Sequence, residues 1–180
     1  TLQFIVIRWA EHNLGLGLSQ ASMLQGVVAV GVAAGAILAA RMVSLRKSVQ
    51  VIPLGIAMGL AVMTMVGITD TTIAMALMVV VGGLAGFFVV PMNALLQHRG
   101  YVLLSAGHSI AVQNFNENLN ILLMLAIYSL LLGTDLGVNV VIWMFGGFVA
   151  VMMIGVMLVH ARNQRSFDAE SLIGIHRPPL

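Results

Sequence analysis

The sequence contains no cysteine. That excludes a disulfide framework, a thiolate nucleophile and any zinc site built on sulfur. Charge is nearly as scarce, at 8% of residues, whereas a soluble globular domain carries about a quarter. Apolar residues make up 60% of the chain, an excess that composition assigns to integral membrane proteins. The formal net charge is only +2. Lys and Arg are scattered through short connections rather than gathered in a patch, so nucleic acid is not an expected partner. The opening run TLQFIVIRWA has no basic leading segment, which argues against a signal peptide and for a chain that begins inside a larger protein.

A bilayer crossing needs about 20 mainly apolar residues, because the hydrocarbon is about 30 Å thick and a helix rises about 1.5 Å per residue. By that measure the chain is all-α, with six transmembrane helices expected at about residues 2–18, 21–43, 49–68, 73–96, 105–132 and 138–159. Residues 1–160 then form one six-helix unit and 161–180 a cytoplasmic tail. The first span is interrupted by Arg8, Glu11, His12 and Asn13. Connections such as SLRKS and TDTT are short, so sequential neighbours are expected to pack antiparallel. Arg41, Arg46, Lys47, Arg99, Arg162, Arg165 and Arg177 all fall on one side of this arrangement, and Asp70 and Asp135 on the other. Basic residues stay on the cytoplasmic side, which puts both ends of the six-helix unit there. The pairs Gly31 with Gly35, Gly55 with Gly59 and Gly82 with Gly86 suit close helix packing. Pro53 falls in a first helical turn, where it is tolerated, whereas Pro91 interrupts the fourth span and is expected to kink it and free a carbonyl near Asn93.

The fifth span holds the most informative stretch, GHSIAVQNFNENLNILLM, from Gly107 to Met124. At 100° per residue, Gln113, Asn116, Glu117 and Asn120 share a stripe about 100° wide, with Ser109 extending it. Asn114 and Asn118 form an adjoining rail, while Phe115, Leu119 and Leu122 lie on the other side. A Glu near the bilayer centre costs about 3 kcal/mol on insertion scales, and each carboxamide there needs partners that lipid cannot supply. Three readings follow: polar glue between helices, a water-accessible cavity that passes a polar substrate, or a catalytic acid or base. The chemical reading lacks companions, because the chain has neither a G-x-S-x-G turn nor an H-E-x-x-H pair. His12, His98, His108 and His160 are not spaced as metal ligands. The 13 methionines are pliable packing. Arg8 is the one basic residue expected at membrane depth, as a charge partner for Glu11 one turn on or for Glu117 across the bundle.

Six spans with both ends inside suit one half of a twelve-helix transporter built from parallel six-helix repeats. The resemblance sharpens at GFFVVPMNALLQHRG (86–100), SAGHSIAVQNFNEN (105–118) and LLMLAIYSL (122–130). These resemble the carboxy-terminal half of the bacterial lysophospholipid transporters of the major facilitator superfamily, whose pattern is G-F-F-V-V-P-x-N-A-L-L-Q-x-R-G followed by A-G-x-x-I-A-V-Q-N-x-x-E-N. The resemblance implies an inner-membrane flippase. It would carry lysophosphatidylethanolamine and lysophosphatidylglycerol to the cytoplasmic leaflet, where an acyltransferase/acyl carrier protein synthetase restores the second chain. It also implies a missing amino-terminal six-helix half, no cofactor and no enzymatic step. Its motif positions assign Gln113, Asn114, Glu117 and Asn118 to a polar cavity, with Asn93 contributed by the fourth span. Such relatives are expected to carry a basic residue near the start of the first span. This chain has Gln3 there, and Arg8 lies about 140° further around the helix. Two other functions fit the same spans: a proton-coupled exporter of drugs or small metabolites with Glu117 as proton carrier, and a non-transporting scaffold subunit.

Overall fold

The computed structural model describes residues 2–103, 106–134 and 136–166, and every element among them is helical. Six α-helices follow in order: α1 (Leu2–Leu14), α2 (Leu18–Met42), α3 (Ile52–Thr64), α4 (Thr71–Leu103), α5 (Ala106–Leu132) and α6 (Val138–Ser166). Single 3-10 segments, Leu45–Val51 and Met65–Gly67, extend α3 at its two ends. SLRKS is therefore mostly the first turn of a helix rather than a loop.

Local chemistry sets the boundaries. Gly15 takes the left-handed conformation with φ of 63°, which ends α1, and the Leu16 amide closes the turn by donating to the Ala10 carbonyl at 3.2 Å. Pro53 sits in the first turn of α3, where its missing donor has no helical partner to lose. Asp70 begins α4: its Oδ1 accepts from the backbone amides of Thr72 at 2.7 Å and Ile73 at 3.2 Å. The helix continues on both sides of Pro91 to Leu103. This proline removes one backbone hydrogen bond without ending the helix.

Two helix pairs form the frame. α2 and α4 touch backbone to backbone: a Cβ on Gly31 would strike the Val79 carbonyl, one on Gly35 the Gly83 carbonyl, and one on Gly86 the Val32 carbonyl. Residue numbers rise together across this contact, so the tightest pair is parallel and non-sequential, which the short connections did not foretell. α3 and α6 pack antiparallel through Gly59, whose added Cβ would lie 2.8 Å from the Gly146 carbonyl and 2.9 Å from the Ala150 amide. Between the pairs lies α1, where Ile5, Val6, Trp9 and Ala10 join Met65, Met78, Val81 and Ile142 in one buried cluster. The Trp9 indole N–H donates to the Met65 carbonyl at 2.9 Å, pinning α1 to the end of α3.

This packing directs Arg41, Lys47, Arg99 and Arg162 to one end of the bundle and Asp70 to the other. Asp135 and Arg177 lie outside the described residues. α6 runs to Ser166, so the segment following residue 159 begins as helix, and residues 167–180 of the expected tail are outside the described set.

Six full crossings is more than these helices show. Four stretches among the described residues have the length and apolarity to span a membrane: Leu18–Met42, Lys47–Gly67, Thr71–Gly100 and Val138–Gln164. α1, described over 13 residues, is not among them. The expected first span to residue 18 is cut short by the turn at Gly15. α5 has the length, at 27 residues, but the six polar side chains between Gln113 and Asn120 dilute its apolar window.

Candidate functional site: the polar stripe of α5

The stripe forms on one helix and is tied to α4 at two points. At the basic end, Ser109 is buried against Gly100, where any side chain on the glycine would collide with it. One turn further, the Gln113 side-chain amide donates to Glu117 Oε1 at 2.9 Å and lies 3.5 Å from Asn93 Oδ1 on α4. Asn93, Gln113 and Glu117 thus make a chain of polar groups from α4 to α5. Gln113 is the hinge of the chain, since its amide nitrogen carries two N–H donors and lies between the two acceptors.

Two of the remaining amides bond to the preceding turn of their own helix. Asn118 Nδ2 donates to the Asn114 carbonyl at 2.8 Å, and Asn120 Nδ2 donates to the Asn116 carbonyl at 2.8 Å. Bonds of this kind to the preceding turn use one N–H of each amide and leave the Oδ1 acceptor and the second N–H directed outward. Asn114, Asn116, Glu117, Asn118 and Asn120 are all exposed, while Gln113 and Asn93 are half-buried. The cluster is therefore neither pressed into the core nor sealed in a closed network. It presents a row of unused donors and acceptors around one carboxylate.

The apolar side of α5 is as open as the polar side: Phe115 is 66% exposed and Leu122 is 65% exposed. Beyond α4, the helix is held near its far end, where Tyr128 is buried and its ring stacks on Phe4 of α1 with centroids 6.3 Å apart. Spans one and five are thus neighbours, as a pairing of Arg8 with Glu117 requires. Arg8 itself is exposed, and Tyr128, where α5 meets α1, lies about 16 Å along the α5 axis from Glu117. Among the described residues Arg8 forms no ion pair with Glu11 or Glu117. Sequence reasoning did not single out Tyr128, although an aromatic with a polar tip near a span end is a recognisable anchor.

No cluster of three metal-ligating side chains occurs among the described residues. Two cavities are lined by other groups. One of about 380 Å³ lies between α1, α2 and α4, where Gln25 Nε2 donates to the Gln3 carbonyl at 2.9 Å. Gln3, standing where a basic residue is expected, faces this cavity. The other, of about 680 Å³, opens at the basic end between α3, α4 and α6.

Comparison with known proteins returns the group that the motifs of α4 and α5 resemble. The chain is 41% identical over 142 residues to the lysophospholipid transporter LplT of Pectobacterium carotovorum, covering 78% of this chain and 34% of that protein. It is 45% identical over 131 residues to LplT of Serratia proteamaculans, covering 72% of this chain and 33% of the relative. With LplT of Yersinia enterocolitica the identity is 40% over 142 residues, or 78% and 35% of the two chains. The chain thus spans about a third of the length of the curated relatives it matches. No protein-family model matches it. No solved structure matches it either.

Proposed function

We propose that this chain is the carboxy-terminal, six-span part of a lysophospholipid transporter, a flippase rather than an enzyme, working in the bacterial inner membrane with both ends of the part in the cytoplasm. One observation carries the reading: a helix long enough to cross the bilayer holds a carboxylate and five carboxamides at mid-length, and the bundle leaves the carboxylate and four of the carboxamides exposed. Its support is the similarity over most of the chain to proteins named as lysophospholipid transporters.

The chemistry suits the cargo. A lysophospholipid carries its own apolar tail, so a transporter needs to shelter only the phosphate, the glycerol hydroxyl and the head group. Carboxamides offer donors to phosphate oxygens and acceptors to hydroxyls without a fixed charge that would trap an ion in low dielectric. Glu117 accepts from an ethanolamine ammonium or a glycerol hydroxyl, and Gln113 holds it in place against Asn93. The amino-terminal six-helix half closes the cavity over this stripe, and rocking of the two halves exposes it to each leaflet in turn. Lysophosphatidylethanolamine and lysophosphatidylglycerol delivered to the inner leaflet are then re-acylated by an acyltransferase/acyl carrier protein synthetase.

The test is reconstitution of the full-length protein in liposomes with labelled lysophosphatidylethanolamine in the outer leaflet. Protein-dependent loss of label from that leaflet, without chemical conversion of the lipid, is the expected result. A folded, reconstituted protein that moves no lysolipid sinks the proposal.

A further inference from the structure

One face of α1 is pinned and the other is open. Trp9 donates to the Met65 carbonyl at 2.9 Å, and the Asn13 side chain donates to the next carbonyl, that of Val66, at 3.3 Å. Both bonds run to the 3-10 segment that closes α3, and their donors, four residues apart, share one stripe of α1. They fix the rotation of the helix. Phe4, Arg8 and Glu11, about 120° to 180° around from that stripe, are held on the opposite face, and all three are exposed. The bonded carbonyls shortly precede Asp70, so this is the acidic end of the bundle, and Arg8 lies only about 9 Å of helix from Leu14, the last residue of α1. His12 is set by the same anchor. Because the Asn13 amide nitrogen is turned to Val66, its Oδ1 faces His12 Nδ1 at 2.8 Å. Nδ1 therefore carries the proton, and Nε2 of the neutral ring is an acceptor.

We infer that Arg8, Glu11 and His12 form a receiving site for a zwitterionic lysophospholipid head group, with the phosphate on Arg8 and the ammonium on Glu11. The inference rests on the transporter reading, in which the acidic end is the outer one, and it names the head group selected there. Arg8 and Glu11 stand about 60° apart around the helix and about 4.5 Å apart along it, a spacing at which side chains meet. Yet among the described residues they form no ion pair, and neither enters a hydrogen bond. Opposite charges held side by side and not spent on one another match a ligand that carries both signs at short separation. An ethanolamine head group is such a ligand, its phosphate and ammonium joined by an ethylene bridge. The guanidinium fork suits phosphate oxygens, and Nε2 of His12, one turn on and about 40° from Arg8, accepts from the glycerol hydroxyl of the lipid. A glycerol head group gives Arg8 its phosphate but offers Glu11 no cation. The site also leads to the α5 stripe. Phe4, one turn from Arg8, stacks on Tyr128, and Tyr128 falls within about 20° of Glu117 on the face of α5.

The experiment measures initial transport of lysophosphatidylethanolamine and of lysophosphatidylglycerol, each over a range of mole fractions, by the full-length protein in liposomes. The readout is the ratio between the two lipids. Glu11→Gln, a near-isosteric change at an exposed position, is expected to raise the half-saturating level of lysophosphatidylethanolamine about ten-fold relative to that of lysophosphatidylglycerol, the scale of one lost hydrogen bond to a charged group. Glu11→Lys should reverse the preference. Arg8→Gln should weaken both lipids, and Arg8→Lys should restore part of the loss. If Glu11→Gln still transports but moves both lipids by the same factor, or neither, the site is overturned and the transporter reading stands. A lower maximum rate for both lipids in Arg8→Gln at unchanged half-saturation, as when Arg8 pairs with an acid of the amino-terminal half, overturns it as well. A parent protein that moves neither lipid removes the transporter reading, and this site with it.

Discussion

Gln113 decides what Glu117 can do. With its amide donated to Glu117 and directed at Asn93, it fixes the carboxylate's rotamer and couples α5 to α4. Gln113→Leu removes the donor and leaves the volume, and Glu117→Gln removes the charge and leaves the shape. Loss of a hydrogen bond to a charged group is worth about 1.5 kcal/mol or more, so either change is expected to slow lysolipid movement about ten-fold or more at unchanged protein level. Transport by Glu117→Gln at the unmodified rate removes the carboxylate from the mechanism. A second residue-scale prediction concerns pH. The amides of Ile73 and Thr72 hold the fully exposed Asp70 carboxyl below its ordinary value. The group is thus more acidic folded than unfolded, and its contribution to stability is complete above the ordinary carboxylate pKa and fades as pH falls through the folded one. Asp70→Ala should lower the melting temperature at about pH 7 and differ progressively less from the parent as pH falls below the ordinary carboxylate range. Asp70→Asn, which still caps but does not titrate, should lose less than Asp70→Ala at about pH 7. A deficit for Asp70→Ala that is independent of pH contradicts the cap. The stripe itself was legible because helical spacing alone aligns Gln113, Asn116, Glu117 and Asn120. The self-bonding of Asn118 and Asn120 was not, since a side chain's choice between backbone and ligand depends on what else is in reach.

At the scale of elements, glycine pairs were readable and their partners were not. Four-residue spacing marks Gly31 and Gly35 as a close-packing face, but nothing local says that the facing helix is α4, two elements on and parallel. That choice is made by the carbonyls of Val79 and Gly83, which come near enough to exclude any side chain. Gly35→Leu and Gly86→Leu should therefore separate α2 from α4 and cost at least the 1–3 kcal/mol typical of an overpacked core, read as a large drop in melting temperature in detergent. Gly26→Ala, on the same helix with nothing within 4 Å of the added carbon, should match or exceed the parent. Equal behaviour of the three variants would mean that the two helices do not meet as described. The carboxy-terminal end of α1 was not legible either. Apolar composition continues through Leu14, Leu16 and Leu18, and only the backbone turn at Gly15 shows that the helix stops.

Taken whole, the molecule keeps α1 to α4 and α6 in a packed frame and leaves α5 standing against it, held by Ser109, Gln113 and Tyr128 and open on both its polar and apolar sides. A helix with that profile has two surroundings to satisfy. Its amides require water or a polar ligand, because lipid supplies no hydrogen bonds, and its Phe115 and Leu122 side requires lipid or another helix. Assembly with the proposed amino-terminal half would meet both demands if the polar side looks inward on a wet cavity. Single cysteines in the full-length protein test this directly. Asn116→Cys and Asn120→Cys should react with a water-soluble, membrane-impermeant thiol reagent and be protected by saturating lysophosphatidylethanolamine. Phe115→Cys and Leu122→Cys, about 100° to 160° away around the helix, should resist the same reagent with or without lipid. The contrast between the two sides carries the conclusion. Were all four positions to react alike, or were lysolipid to protect none of them, the stripe would be a packing surface, and the outward-facing amides would have to find their partners on another helix.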